Sequence, residues 1–365
     1  MIHFFVGTKA QLIKTAPLMV ELRRRGIPFR YVDSGQHAEL TRSIRTVFGL
    51  PDPDVSLAAG AGDVVSVRQA VDWYVTQLWR SVGNRAWLRG AVFPGGGICL
   101  IHGDTLSTLL GLQFARRAGL RVGHVEAGLR SFCWWEPFPE ELIRMWCMRR
   151  SDVLFAPSEA AAGNLERMRV GGRVVRVSGN TVADALRLAG AGSRSVAVPQ
   201  EPFALATCHR LETISRRGRL GRVAALWNRV AERMPVLLVL HEPTEQRLRR
   251  FGLLGALHPA ITRLGLLEYG EFVALLKAAR LVLTDGGSIQ EECAYLGKPC
   301  LITRMKTERR EGLGANAVLW GFDDATAERF LAEVDRMAAR PRGPLPRPSA
   351  EIVDALVEMG YADAT

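Results

Sequence analysis

Three acidic residues stand where an α/β chain exposes reactive groups. Asp104 follows the apolar run Ile98–Ile101 after His102 and Gly103, and Glu126 follows directly on Leu120–Val125. Between the two runs, Leu106–Ala118 carries Leu106, Leu109, Leu110, Leu112 and Phe114 and reads as a largely buried helix. A strand–helix–strand unit of this kind sets both acids just beyond the carboxyl ends of neighbouring parallel strands, where open α/β sheets bind ligands. Glu140 comes next, on a loop that starts a further helix. Carboxylates converging on one crevice can lift a proton from carbon and return one, if burial raises a carboxyl pKa towards neutrality. Each acid taken singly would serve equally well as a helix cap or as a partner for Arg130 or Arg144.

The second half supplies groups suited to an anion. Gly286-Gly287-Ser288 lies between the apolar run Leu281–Leu283 and the helical pattern Ile289–Leu296. Small residues there leave backbone amides and the positive end of the helix dipole available to a phosphate. Glu291 and Glu292 follow one turn later, where a carboxylate can accept from ribose hydroxyls or simply favour the dipole. His209 and Arg210 end another strand, a position from which they could bind or protonate a leaving phosphate. His241 has a similar strand-end place. Cys208, beside His209, is a candidate nucleophile.

These groups require alternating strands and helices. Ile2–Val6, Phe29–Val32, Val153–Ala156 and Val174–Val177 read as further strands of the first half. Leu12–Arg25 and Val65–Val82 read as helices, and Ser158 as an N-cap. Phe203–Thr207, Val236–Leu240, Leu264–Leu267, Leu281–Leu283 and Cys300–Thr303 are the strands of the second, Cys300–Thr303 being the last clear one. The Gly/Ser/Pro-containing segment Ala189–Pro202 resembles a linker. The expectation is α/β throughout: two Rossmann-like doubly wound domains facing a central cleft, 1–175 and 176–348. The terminal helix, Ala350–Met359 within 349–365, is expected to pack back on the first domain.

At 365 residues, with 48% hydrophobic residues, the chain can build two cores. No apolar run approaches the roughly 20 residues of a membrane span. The strand-like start at Ile2 leaves no room for a signal peptide, so a soluble cytoplasmic protein is expected. The six cysteines form no CxxC pair, which argues against zinc and against a disulfide framework. The net charge of +11 comes largely from arginines dispersed over the helices. Without a nucleic-acid motif, that pattern fits a solvated surface and an anionic metabolite better than a specific nucleic-acid partner.

Read together, His102-Gly-Asp-Thr105, His124-Val-Glu-Ala-Gly-Leu-Arg130, Pro139-Glu-Glu141, Ser178-Gly-Asn-Thr181, His209-Arg210, Leu283-Thr-Asp285, Ile289-Gln-Glu-Glu292, Leu296-Gly-Lys-Pro299 and Thr307-Glu-Arg309 closely resemble, in this order, the non-hydrolysing UDP-N-acetylglucosamine 2-epimerase family. The resemblance implies the glycosyltransferase-B architecture, a homodimer, a UDP-sugar substrate, no metal, no nicotinamide or other cofactor, and a place in cell-surface polysaccharide biosynthesis. It implies loss of UDP to a 2-acetamidoglucal and re-addition with inversion at C2. Asp104, Glu126 and Glu140 match the acids that move the C2 proton on its two faces. His209 matches the histidine that assists UDP departure; Gly286, Gly287 and Ser288 match the pyrophosphate cradle and Glu292 the ribose ligand. Lys9, Lys14 and Phe272 match positions lining the nucleotide site, and Arg130, Arg144 and Arg210 complete the expected substrate contacts. Gln36, Arg210 and His241 fit a second, activator site found in some members.

The chain also departs from the family pattern. Gly-Thr-Arg-Pro-Glu is Gly7-Thr-Lys-Ala-Gln11 here, His-Arg-x-Glu-Asn is His209-Arg-Leu-Glu-Thr213, and Ser-Gly-Gly is Gly286-Gly-Ser288. Members acting on diacetamido or deoxy sugars often carry Gln at the Gln11 position. The alternatives to an epimerase are a hydrolysing enzyme that releases UDP and free sugar, a glycosyltransferase of the same architecture, and a non-catalytic nucleotide-sugar sensor.

Overall fold

The computed structural model describes residues 1–36, 38–57, 67–132, 139–189, 196–307, 309–338 and 343–362, with backbone alone for 38–40, 67 and 68. The chain divides into two compact units, Met1–Leu188 with Pro346–Thr365, and Ala189–Leu345.

In the first unit the elements are β1 (Ile2–Val6), α1 (Lys9–Arg24), β2 (Phe29–Asp33), α2 (Ala38–Phe48), β3 (Val55–Ser56), α3 (Val67–Ser81), α4 (Arg85–Trp87), β4 (Ile98–His102), α5 (Leu106–Ala118), β5 (Arg121–Val125), α6 (Glu140–Arg150), β6 (Val153–Ala156), α7 (Glu159–Arg167), β7 (Arg173–Arg176) and α8 (Val182–Leu188). The strands form one parallel sheet in the order β3-β2-β1-β4-β5-β6-β7. Helices cover both faces of such a sheet, which is why β1 and β4 are buried at every residue and read as unbroken apolar runs. One core under the sheet gathers Phe5, Val32, Phe93, Ile101, Leu112 and Phe114, with Trp73 and Leu78 of α3 packed against it.

The second unit runs β8 (Ala204–Thr207), α9 (Leu211–Ile214), α10 (Arg217–Ala231), β9 (Val236–Val239), α11 (Glu242–Arg250), β10 (Ile261–Leu264), α12 (Tyr269–Ala278), β11 (Leu281–Thr284), α13 (Gly287–Leu296), β12 (Cys300–Ile302), β13 (Ala317–Leu319) and α14 (Asp324–Ala338). Its parallel sheet has the order β10-β9-β8-β11-β12-β13, the same winding as the first six strands of unit one. In each sheet the direction of winding reverses once, between β1 and β4 and between β8 and β11. Crevices at such reversals are where doubly wound sheets take ligands.

The fold class is therefore the expected one, two parallel α/β units. The detail differs in places. The strand placed at Leu264–Leu267 is Ile261–Leu264, and β13 and α14 follow the strand that closed the sequence reading. Part of the segment assigned as a linker, and Cys133, lie outside the described residues. The terminal helix α15 (Pro348–Glu358) belongs to the first unit and packs on α1 and α8. It is fastened there by Ser349 N–H donating to Asp184 (2.8 Å) and Ser178 N–H donating to Glu351 (2.7 Å).

Candidate functional site

In the first unit, the groups after β1, β4 and β5 interlock. Thr8 caps α1 by accepting from Gln11 N–H (3.3 Å), while Gln11 Oε1 accepts from Gly7 N–H (3.0 Å) and Thr8 N–H (3.1 Å). The other end of the same amide donates to His102 O and Thr108 Oγ1, both at 2.9 Å. Gln11 is thus consumed by a buried knot that ties the β1 loop to the β4 loop. A β-carbon at Gly7 would lie 1.9 Å from Ser34 Oγ and 2.0 Å from Ser107 Oγ, so only glycine fits. Ser107 also donates to Gln36 (2.6 Å), which holds that expected activator-site residue against the start of α5.

Glu126 comes directly after β5 with φ +66, a left-handed conformation that costs a non-glycine residue about 1–3 kcal/mol. Lys14 Nζ donates to Glu126 Oε2 at 2.6 Å, and His102 Nε2 lies 3.0 Å from the same oxygen. All three side chains are buried. Lys14 stands beside the acid, within an α1 that is buried along most of its length. Asp104, two residues beyond β4, pairs with Arg144 of α6. Arg144 also donates to Glu141 (2.5 Å), which accepts from Arg130 and from Ser131 N–H. Arg144 feels the charges of both Asp104 and Glu126. Glu140, the first residue of α6, is half-buried one position before Glu141. Lys9, half-buried, opens α1. His124 Nε2–H donates to Gly103 O (2.8 Å), and burial depresses the ring's pKa to about 4.

In the second unit the β8 and β11 loops meet in the same way. Asp285 follows β11 and is fully buried; its Oδ2 accepts from His209 N–H (3.0 Å) and Arg210 N–H (2.9 Å). His209 Nδ1 lies 3.5 Å from Asp285 Oδ1, and the ring stacks on His241 with centroids 5.2 Å apart. Burial lowers the His209 pKa, and Asp285 pulls the other way. Cys208 Sγ donates to Asp285 (3.3 Å), and burial raises its pKa well above the ordinary value. A protonated, buried thiol is not the nucleophile suspected from sequence.

Gly286 caps α13 without a side-chain hydrogen bond of its own, and its N–H donates to Thr284 Oγ1 (3.0 Å). A β-carbon at Gly286 would sit 3.1 Å from His209 Cε1, so the small residue also lets the histidine approach the helix end. Along α13, Gln290 bonds Arg309 O and Glu311 O, both at 3.1 Å, and accepts from Thr307 (2.8 Å); Glu291 accepts from Arg309 (2.9 Å). Glu292, buried, accepts from Tyr269 OH (3.0 Å) on α12, the helix that also carries half-buried Phe272.

A family model described as UDP-N-acetylglucosamine 2-epimerase matches residues 20–347. The chain belongs to the UDP-N-acetylglucosamine 2-epimerase family. It is an enzyme of the isomerase class by that membership, with two Rossmann-like units of the glycosyltransferase-B type. It is 29% identical over 352 residues to the UDP-N-acetylglucosamine 2-epimerase of Methanococcus maripaludis, covering 92% of this chain and 91% of that protein. It is 35% identical over 334 residues to the UDP-2,3-diacetamido-2,3-dideoxy-D-glucuronate 2-epimerase of Pseudomonas aeruginosa, covering 88% and 89%. The Methanocaldococcus jannaschii UDP-GlcNAc 2-epimerase in complex with UDP-GlcNAc and UDP superposes with a TM-score of 0.80 at 28% identity, covering 98% of this chain and 99% of that one.

Several groups at these loops were not singled out as site residues from sequence. His102 and Asp285 each end an apolar run, the same signal that marked Asp104 and Glu126. Glu141 was hidden by its neighbour Glu140. In the knot around Gln11 the capping box Thr8-x-x-Gln11 has a sequence signature, whereas the amide's bonds to His102 O and Thr108 Oγ1, 91 and 97 residues away, have none.

Proposed function

We propose that this epimerase-family chain inverts C2 of a UDP-2-acetamido sugar by eliminating UDP and adding it back. One observation carries the reading: a strained, buried acid, Glu126, sits at a strand end beside Lys14, with Asp104 at the next strand end beside Arg144. Two carboxyl groups at neighbouring strand ends suit a reaction in which an ionised one removes a proton on one face and a protonated one delivers a proton on the other. In the forward step a carboxylate takes the C2 proton while the C1–oxygen bond breaks and the electron pair leaves with UDP. In the return step the UDP oxygen attacks C1 and an acid on the opposite face protonates C2. Glu140 is part of this acid set, and Arg130 and Arg210 are assigned to substrate.

The nucleotide is assigned to the second unit. The uncapped first turn of α13 at Gly286, Gly287 and Ser288 suits the pyrophosphate. His209, held by Asp285, suits the departing phosphate oxygen, and Glu292 the ribose. Lys9 and Phe272 complete the nucleotide contacts, while Lys14 is reassigned to Glu126. Gln36 and His241 are assigned to a second sugar-nucleotide site. The reading includes a homodimer, supported by an exposed apolar row on and just beyond α3: Val71, Val75, Trp79 and Val82.

A second substrate reading is a UDP-2,3-diacetamido-2,3-dideoxy uronate. Gln11 and the 35% identity to the Pseudomonas aeruginosa enzyme favour it. Incubating the protein in D2O with UDP-GlcNAc and, separately, with the diacetamido glucuronate, then following the C2 proton by NMR, tests both. Deuterium at C2 with the manno epimer supports epimerisation and names the substrate. Free sugar with stoichiometric UDP would instead make it a hydrolase, and tight UDP binding without exchange would leave only a binding protein.

A further inference from the structure

Four hydrogen bonds on one side chain join the loop after β1 to the turn that carries Asp104. Gln11, buried in the first turn of α1, accepts at Oε1 from Gly7 N–H (3.0 Å) and Thr8 N–H (3.1 Å). Its Nε2 donates to His102 O and to Thr108 Oγ1, both at 2.9 Å. The two backbone amides can only donate, and the His102 carbonyl can only accept. A neutral amide meets both demands at once and brings no charge into a buried place.

From Gln11 the bonds run on around Asp104. Thr108 Oγ1 donates to His102 O (2.7 Å) and accepts from Thr105 N–H (3.1 Å), while Thr105 Oγ1 accepts from Thr108 N–H (3.3 Å). Gly103 N–H donates to the carbonyl of Val125, the residue before Glu126 (3.3 Å). The turn 102–105 is thus held at both ends, with Asp104 inside it. Lys14 lies three residues beyond Gln11, on the same side of α1, and donates to Glu126 Oε2 at 2.6 Å. One helix therefore grips the Asp104 turn through Gln11 and the Glu126 carboxylate through Lys14.

We infer that Gln11 is a positioning residue for proton transfer: its amide pins the Asp104 turn to α1, the helix whose Lys14 pairs with Glu126, and so sets the spacing of the two acids. The inference rests on Asp104 and Glu126 being the acids that exchange the C2 proton.

Variants at both ends of the amide test it in the full-length protein. Gln11→Met keeps the length of the side chain and removes its four bonds. C2 exchange in D2O falls roughly 10²-fold, as a small misplacement of a reacting group costs, through kcat rather than KM. UDP affinity, measured by calorimetry, stays at the parent level. Thr108→Val cuts the same link from the other side and loses as much, whereas Thr108→Ser keeps the hydroxyl and stays within about threefold of the parent. In an Asp104→Asn background, Gln11→Met removes less than about threefold more, because both changes act on one group. Amide hydrogen exchange of residues 102–108, followed by mass spectrometry, quickens roughly tenfold in Gln11→Met and Thr108→Val. Parent-like C2 exchange in Gln11→Met, or losses that simply multiply with Asp104→Asn, would overturn the inference and leave the knot as packing. Should Gln11→Met fail to fold, equal exchange in Thr108→Val and Thr108→Ser would overturn it as well. Absence of C2 exchange in the parent protein with any UDP-2-acetamido sugar would instead remove the functional reading, while amide exchange still decides whether Gln11 holds the Asp104 turn.

Discussion

The His209 imidazole and the Asp285 carboxylate face each other with Nδ1 and Oδ1 3.5 Å apart. The same acid accepts the backbone N–H groups of His209 and Arg210, so one buried residue after β11 sets both the ring and its loop after β8. Asp285→Asn keeps the size but turns one acceptor into an N–H donor facing those amides. Turnover is expected to fall by roughly 10²-fold, the lower end of what a positioned acid or base contributes. Circular dichroism should be unchanged, and parent-like kcat in a folded variant would free His209 from this dependence.

Glu126→Gln and Asp104→Asn separate proton chemistry from nucleotide binding. Each is expected to lose roughly 10²–10⁴-fold in C2 exchange while UDP affinity stays at the parent level. The measurement is deuterium incorporation set against UDP calorimetry. Loss of UDP binding with either substitution would contradict the assignment of the nucleotide to the second unit.

Gly7→Ala is expected to be tolerated poorly. The new methyl group would lie 1.9 Å from Ser34 Oγ and 2.0 Å from Ser107 Oγ, two hydroxyls already bonded to each other at 2.9 Å. Overpacking of this kind costs about 1–3 kcal/mol, read from urea unfolding. An unchanged midpoint would mean that the β1 loop yields more easily than its hydrogen bonds imply.

Acid should weaken the first unit through two buried histidines. Burial lowers the pKa values of His3 and His124 from 6.5 to about 4. Over that interval the unfolded chain binds protons that the folded chain does not, so stability falls as pH drops from the upper value to the lower. Above it both states are neutral and the full stability is present. For fully buried His124 the loss amounts to roughly 3 kcal/mol. Urea unfolding between about pH 7 and about pH 4.5 should show a clear decline that flattens in His124→Gln. Equal slopes in parent and variant would place the acid sensitivity elsewhere.

The sequence reveals most where chemistry and burial coincide. A mostly apolar run with an acid at its carboxyl end marks a buried parallel strand and that end of it together, which is how β4 with Asp104 and β5 with Glu126 are legible. The same logic located His209 and Gly286. Elements with less burial gave less signal: β10 exposes Thr262 and Arg263, and β13 is three residues long. The pairing of Lys14 with Glu126 is illegible for a different reason. A lysine within a helix reads as surface or as a phosphate ligand, and its partner Glu126 lies 112 residues away. Only the folding of α1 against the β5 turn brings the two charges together.

Helix α15 completes the first unit with Ile352, Val353 and Leu356, all buried, after the chain has passed through the whole of the second. Domains fold as units as they leave the ribosome, ordinarily the N-terminal one first. Here the order is inverted: residues 189–345 can reach their native core while the earlier unit still waits for its last helix. Completion of the first unit is therefore tied to synthesis of α15, and a nascent chain stopped short of that helix would carry a finished second unit and an unfinished first one.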